Sequence, residues 1–188
     1  LLAAGYKKWE VANYWGLDVL PVKKLDVSFD NLIYMFNTQA MQAAKELGLS
    51  RVTLAVEDTL GNLKYLAQCA PLPVVMVVYQ DVPLFTSAVC IRDNDCRHCD
   101  RYSVWTELFR NGRKYLALSE NCGTMLFADK PFAAAKEAAE VRADFYRADF
   151  CYRSYTLREV KNILQQLKNF ENPSNSFAGN MARRRETF

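Results

Sequence analysis

Residues 73–79 read PVVMVVY, an apolar run without polar alternation. A strand with one face in water alternates polar and apolar positions; a strand covered on both faces does not. This run therefore predicts a central strand of a largely parallel sheet. Parallel neighbours need long crossovers, usually helices, so helical patterns are expected on either side of it.

They are present. Residues 38–47 place Ala40, Met41, Ala44 and Leu47 at helical spacing, start after Asn37-Thr38 and stop at Gly48. Residues 59–69 put Leu60, Leu63, Leu66 and Ala67 on one face. Strands are expected at residues 32–36 and 51–56. Beyond the central run the order changes: apolar stretches at 102–108 and 114–118 flank Asn111-Gly112, a strong hairpin signal. A short run at 124–128, an Ala-rich helix at 130–141 with Pro131 near its first turn, a strand at 145–150 and an amphipathic helix at 156–170 complete the chain.

Counting residues 9–20 as an ambiguous first unit gives about five strand–helix units. The fold class expected is α/β, with parallel (β/α) units forming a partial TIM-like barrel and a β-hairpin inserted near 101–120. An eight-unit barrel needs about 250 residues, so the barrel would be incomplete; an open doubly wound sheet is the alternative. The barrel domain would occupy 1–170, and 171–188 would be a polar tail.

Composition narrows the class. The chain has 188 residues, 51% hydrophobic, enough for one sizeable core. A net charge of +3, widely dispersed, does not demand a nucleic-acid surface. The one dense basic cluster, Arg183-Arg184-Arg185, reads as a solvated end or as an RNA-contacting arm. No apolar segment approaches bilayer length, and no signal peptide pattern is evident. The start at Leu1 rather than Met is expected of a fragment or processed product. Six cysteines are too sparse for a secreted disulfide scaffold, which favours a reducing cytoplasm.

In a parallel α/β sheet, ligands gather beyond the carboxyl ends of the strands. The expected rim therefore holds Asn37, Glu57 and Asp58, Gln80 and Asp81, Asp129, and Cys151-Tyr152-Arg153. Glu57 would project from a strand end as a general base or anchor; it also suits a helix N-terminus as a dipole-complementing acid. Arg147 and Asp149 alternate, so they share one side of a strand: a buried pair inside a barrel, or the solvent face of an edge.

Cys90, Cys96 and Cys99 lie in the string CIRDNDCRHC after the central strand. Clustered thiols on such a loop suit a soft metal. Cys122, Cys151, His98 or Cys69 would supply a fourth ligand. With one histidine in the chain, and no P-loop, His-Glu-x-x-His or Gly-x-Ser-x-Gly string, the common hydrolase and nucleotide-binding patterns are absent.

The string LIYMFNTQAMQAAKELGLSRVTLAVED resembles a strand, Asn-(Ser/Thr)-x-Ala helix, Leu-Gly, strand, Glu block of the collagenase-like peptidases, peptidase family U thirty-two. VVMVVYQDVPLFTSAVC is similar to the next block, Tyr115-Leu116-Ala117-Leu118-Ser119 to the segment after it, and Arg147-x-Asp149 to a late Arg-x-Asp strand. The resemblance implies the second half of a (β/α) barrel, partnered by an amino-terminal half or a paralogous chain. It implies a [4Fe–4S] cluster on Cys90, Cys96, Cys99 and Cys122, with zinc as the other metal for the same thiolates. Glu57, Arg147 and Asp149 would be catalytic, and Asn37 and Arg153 would bind substrate. The activity implied is a factor for hydroxylation or modification of RNA or a ubiquinone precursor. A metal-dependent peptidase and a non-catalytic zinc module are the alternatives.

Overall fold

A computed structural model describes residues 1–92 and 102–182. The chain is mixed α/β. Strands β1 (Lys8–Val11), β2 (Asp26–Phe29), β3 (Arg51–Thr53), β4 (Val74–Gln80) and β10 (Phe145–Ala148) form one sheet in the order β1-β2-β3-β4-β10, with every one of these pairs parallel. Helices α1 (Gly16–Val19), α2 (Thr38–Glu46), α3 (Leu60–Cys69), α4 (Ala135–Val141) and α5 (Leu157–Lys168) follow strands of this sheet. A second, antiparallel sheet, ordered β5-β8-β7-β6, joins β5 (Pro83–Ser87), β6 (Val104–Arg110), β7 (Arg113–Glu120) and β8 (Gly123–Ala128). The short β9 (Phe132–Ala133) returns antiparallel to the end of β4.

The two faces of the parallel sheet differ in chemistry, and register shows how. Val27 pairs with Trp9, Phe29 with Val11 and Val52, and Val52 with Val74. These side chains share the face covered by helices, where Met41, Ala44, Leu63, Leu66, Ala138 and Val141 are buried. Each fully buried Leu or Met there contributes about 1.5–3 kcal/mol. The opposite face carries Lys8, Glu10, Asp26, Ser28, Arg51, Thr53 and Arg147, interrupted by Val75 and Val77 on β4 and by Phe145 on β10. All seven residues of β4 are buried, as its unbroken apolar sequence predicts.

That polar face is concave. A flat five-stranded sheet would hold its edges about 19 Å apart, farther than two side chains can bridge. Yet Arg147 on edge strand β10 donates to Glu10 on edge strand β1 at 2.7 Å. The sheet must curl so that its edges face each other across the polar side.

Several sequence expectations need correction. Residues 32–36 do not form a strand; the strand is β2, just upstream. Asp30 Oδ1 accepts from the Leu32 amide at 2.9 Å and opens a 3-10 turn over Asn31–Ile33, and Tyr34 then takes a left-handed φ of 58°. The polar positions Asp26 and Ser28 hide β2 from a search for apolar strands, because its inner face is the polar one. The helix expected from residue 130 begins only at Ala135, because Phe132 and Ala133 pair with β4. The expected hairpin is the outer part of the four-stranded sheet. Residues 171–182 are not a free tail: Phe177 exchanges backbone hydrogen bonds with Pro131 and Ala133, and Met181 is buried.

The helix start expected at Asn37-Thr38 holds, with Asn37 capping α2. Thr59 likewise caps α3, and Thr156 with Glu159 forms a capping box on α5. At the β6–β7 turn, Asn111 (φ 51°) and Gly112 (φ 71°) both take the positive φ that a type I′ turn requires. Gly112→Ala is expected to cost about 1 kcal/mol, measurable as a lower urea midpoint with an unchanged slope.

Candidate functional site

The concave face converges on Arg147. Its Nη1 donates to Glu10 Oε1 at 2.7 Å and to Asp30 Oδ2 at 3.0 Å, and its Nη2 donates to Asn31 Oδ1 at 2.8 Å. Asp149 Oδ2 stands 3.0 Å from Nε, out of line for a hydrogen bond. Glu10 Oε1 also accepts from Thr53 Oγ1 at 2.9 Å. Strand β1, the turn after β2 and the residue just past β10 thus bring polar groups to one guanidinium, and Thr53 of β3 holds Glu10 in place. A shift in register between Arg147 and Ala148 then lets Asp149 N bond the Tyr79 carbonyl at 2.8 Å.

The charges do not cancel. Three carboxylates face one guanidinium, whose side chain is 18% exposed. Burial, the largest influence on Glu10 and Asp149, pushes both above the ordinary carboxylate range against the pull of Arg147. Burial would lower Arg147, but Glu10, Asp149 and Asp30 outweigh it and raise it further. Arg147 therefore stays charged, while Glu10 and Asp149 take up protons more readily than free carboxyls do. A group that holds a permanent cation beside proton-exchanging carboxyls can bind a polar substrate and pass a proton to it.

The residues named from sequence are placed as follows. Arg147 and Asp149 lie together at this centre. Glu57 does not join it: the residue is exposed, and its carbonyl accepts from Asn180 Nδ2 at 2.8 Å. The helix-start role falls to its neighbour Asp58, which accepts from Thr59 N at 2.7 Å and from Asn62 Nδ2 at 2.6 Å. Asn37 is also exposed, with Oδ1 committed to the Ala40 amide at 2.8 Å. Its expected rim position depended on a strand at 32–36.

Arg153 ties the two sheets together instead. It donates to Asp81 Oδ1 (2.6 Å) and to the carbonyls of Asp129 (2.5 Å) and Ala128 (2.7 Å). Beside it, Tyr152 packs on Phe127, ring centroids 4.9 Å apart. Glu10, Asp30, Asn31 and Thr53 were not singled out from sequence. The available signal was the alternation in KWEV and DVSF followed by Asp-Asn, legible once the inner face is known to be polar.

Two of the cysteines lie beside strands of the second sheet. Cys90 is half-buried beyond the end of β5, and Cys122 is exposed in the β7–β8 turn. Thr124 links the two regions: its Oγ1 donates to the Val89 carbonyl at 2.8 Å and accepts from the Ile91 amide at 2.9 Å. Cys96, His98 and Cys99 fall outside the described residues. Cys69 and Cys151 are exposed. Among the described residues, no three His, Cys, Asp or Glu side chains gather in a metal-holding arrangement.

No protein-family profile, curated protein or solved structure matches this chain. The reading of the site therefore rests on its own geometry.

Two outcomes follow. Arg147→Met leaves Glu10, Asp30 and Asp149 without their shared cation, and should cost about 3 kcal/mol in urea unfolding. The raised carboxyls also set a pH dependence. A folded-state value above the unfolded one means that the native state binds more protons between the ordinary range and the raised value. Their contribution is full below the unfolded value and is lost as pH rises through the folded one. Stability should therefore rise as pH falls through the raised values towards the ordinary carboxylate range, and Glu10→Gln should flatten that rise; identical slopes for the two proteins would contradict the assignment.

Proposed function

We propose that this chain is the second half of a (β/α) barrel of the collagenase-like peptidase family. In this reading it carries a [4Fe–4S] cluster on Cys90, Cys96, Cys99 and Cys122 and supports hydroxylation or other modification of RNA or a ubiquinone precursor in the cytoplasm. The observation that carries the reading is that Cys90 and Cys122 lie at one end of the small sheet. β5 ends, β6 begins and the β7–β8 turn closes at that end, with Thr124 bonded to both neighbours of Cys90. Cys96 and Cys99 belong to the segment between Arg92 and Tyr102, which are themselves joined by a hydrogen bond from Arg92 Nη1 to the Tyr102 carbonyl at 3.2 Å.

The turn at Cys122 adds independent support. Asn121 (φ 50°) and Cys122 (φ 63°) repeat the conformation of Asn111-Gly112, but cysteine stands where glycine is unstrained. A left-handed cysteine costs about 1–2 kcal/mol, a cost consistent with a need for its thiol. Four thiolates suit iron–sulfur ligation, which would supply one-electron chemistry. The same four would also close a tetrahedral zinc site, the second reading, in which the module is not catalytic.

The curl of the parallel sheet supports the partial barrel, with missing strands supplied by an amino-terminal half or a paralogous partner. Arg147, Glu10 and Asp149 would then line the substrate pocket. Arg147 orients a polar group, and the two raised carboxyls exchange protons with it. Among the described residues, no helix is long and apolar enough to cross a membrane.

Anaerobically purified protein should show broad absorbance near about 400 nm with acid-labile sulfide. Stoichiometric zinc without colour would instead favour the zinc module, and neither metal would end both readings. Cys122→Gly should abolish metal binding while raising the stability of the metal-free fold by about 1 kcal/mol. Undiminished metal content in a Cys90→Ser, Cys122→Gly double variant would overturn the ligand assignment.

A further inference from the structure

A cavity of about 410 Å³ opens on the concave face at the amino ends of the strands, within the roughly 300–1,000 Å³ typical of small-molecule sites. It lies away from the carboxyl rim, where barrel chemistry is expected. Lys8 and Arg51, the first residues of β1 and β3, stand at its mouth; Phe145, the first residue of β10, and Val75 form an apolar wall; Glu10 and Arg147 close its inner side. A separate cavity of about 490 Å³ between α3 and α4 is on the helical side of the sheet and contains none of these groups.

The charges at the mouth are unequal. Arg51 commits Nη2 to Asp26 Oδ2 at 3.0 Å and keeps its guanidinium 5.9 Å from the centre of the Phe145 ring. Lys8 is exposed and forms no ion pair among the described residues. Two cations and one carboxylate thus surround the opening, beside an aromatic ring that is half exposed. An anionic head fits between Lys8 and the remaining donors of Arg51, while an apolar or aromatic body covers Phe145 and Val75. At the inner end, Glu10 has one oxygen engaged by Thr53 and Arg147, which leaves the other to accept from a ligand hydroxyl or amine.

We infer that this cavity is a second binding site, for a small phosphate- or carboxylate-bearing molecule with an apolar body. Occupancy would be felt at the other end of the strands. Arg147 belongs both to the cavity wall and to the carboxylate centre, so an anion at the mouth competes for its charge with Glu10, Asp30 and Asp149. The inference does not depend on the cysteine cluster.

Isothermal titration of the full chain with phenyl phosphate at low ionic strength tests it, with inorganic phosphate as the comparison. The expected result is saturable one-to-one binding, tighter for phenyl phosphate than for inorganic phosphate. Lys8→Ala should weaken it about tenfold, the worth of one hydrogen bond to a charged group. Arg51→Lys, which retains a cation for Asp26, should weaken it in the same direction. Lys23→Ala, an exposed lysine outside the cavity, should leave it unchanged, with circular dichroism confirming that each variant is folded. Absence of saturable binding overturns the inference. So does equal affinity in Lys8→Ala, equal loss in Lys23→Ala, or inorganic phosphate binding as tightly as its phenyl ester.

Discussion

The ion pair between Arg147 and Glu10 is the interaction on which the arrangement depends. It joins the two edge strands of a five-stranded sheet from the inside. Without curvature the two groups could not meet. The same guanidinium engages Asp30 and Asn31 after β2. One side chain thus fixes the relative placement of three separate pieces of chain. The consequence is an inner face that is hydrophilic while the outer face, under the helices, carries the apolar core.

Much of the fold was legible because backbone chemistry speaks locally. The caps at Asn37, Thr59 and Thr156, the turn at Asn111-Gly112 and the unbroken run of β4 each name their own element. β2 was not legible because Asp26 and Ser28 face a polar interior that no local pattern reveals. Apolar Leu32, Tyr34 and Phe36 look like a strand, yet all three are exposed, because Asp30 captures the Leu32 amide and turns the chain. The site was half legible for the same reason. Alternation put Arg147 and Asp149 on one side of a strand, but Glu10 and Asp30 become partners only through the curl. Glu57 and Asn37 sit next to strand ends or helix starts, where sequence alone cannot separate a rim residue from a cap.

The two sheets divide the work differently. The parallel sheet concentrates charge on rigid strands, where small displacements are resisted by backbone pairing on both sides. The antiparallel sheet has Cys90 just beyond β5 and Cys122 in the β7–β8 turn. Arg153 and Tyr152 join the two, one by hydrogen bonds to backbone carbonyls and a buried carboxylate, the other by ring packing. Asp81 keeps one buried oxygen without a partner among the described residues at this junction, an energetic weak point between the sheets.

The insertion of an entire sheet between β4 and β10 also orders the events of folding. β6, β7 and β8 pair with their immediate sequence neighbours across two-residue turns, contacts that close rapidly. β10 must find β4 across the whole of that inserted sheet, a far larger loop to close. Local pairing of β6, β7 and β8 is thus cheaper in chain entropy than the long-range pairing that seats Arg147. Until β10 docks, the carboxylates of the concave face have no arginine to gather them.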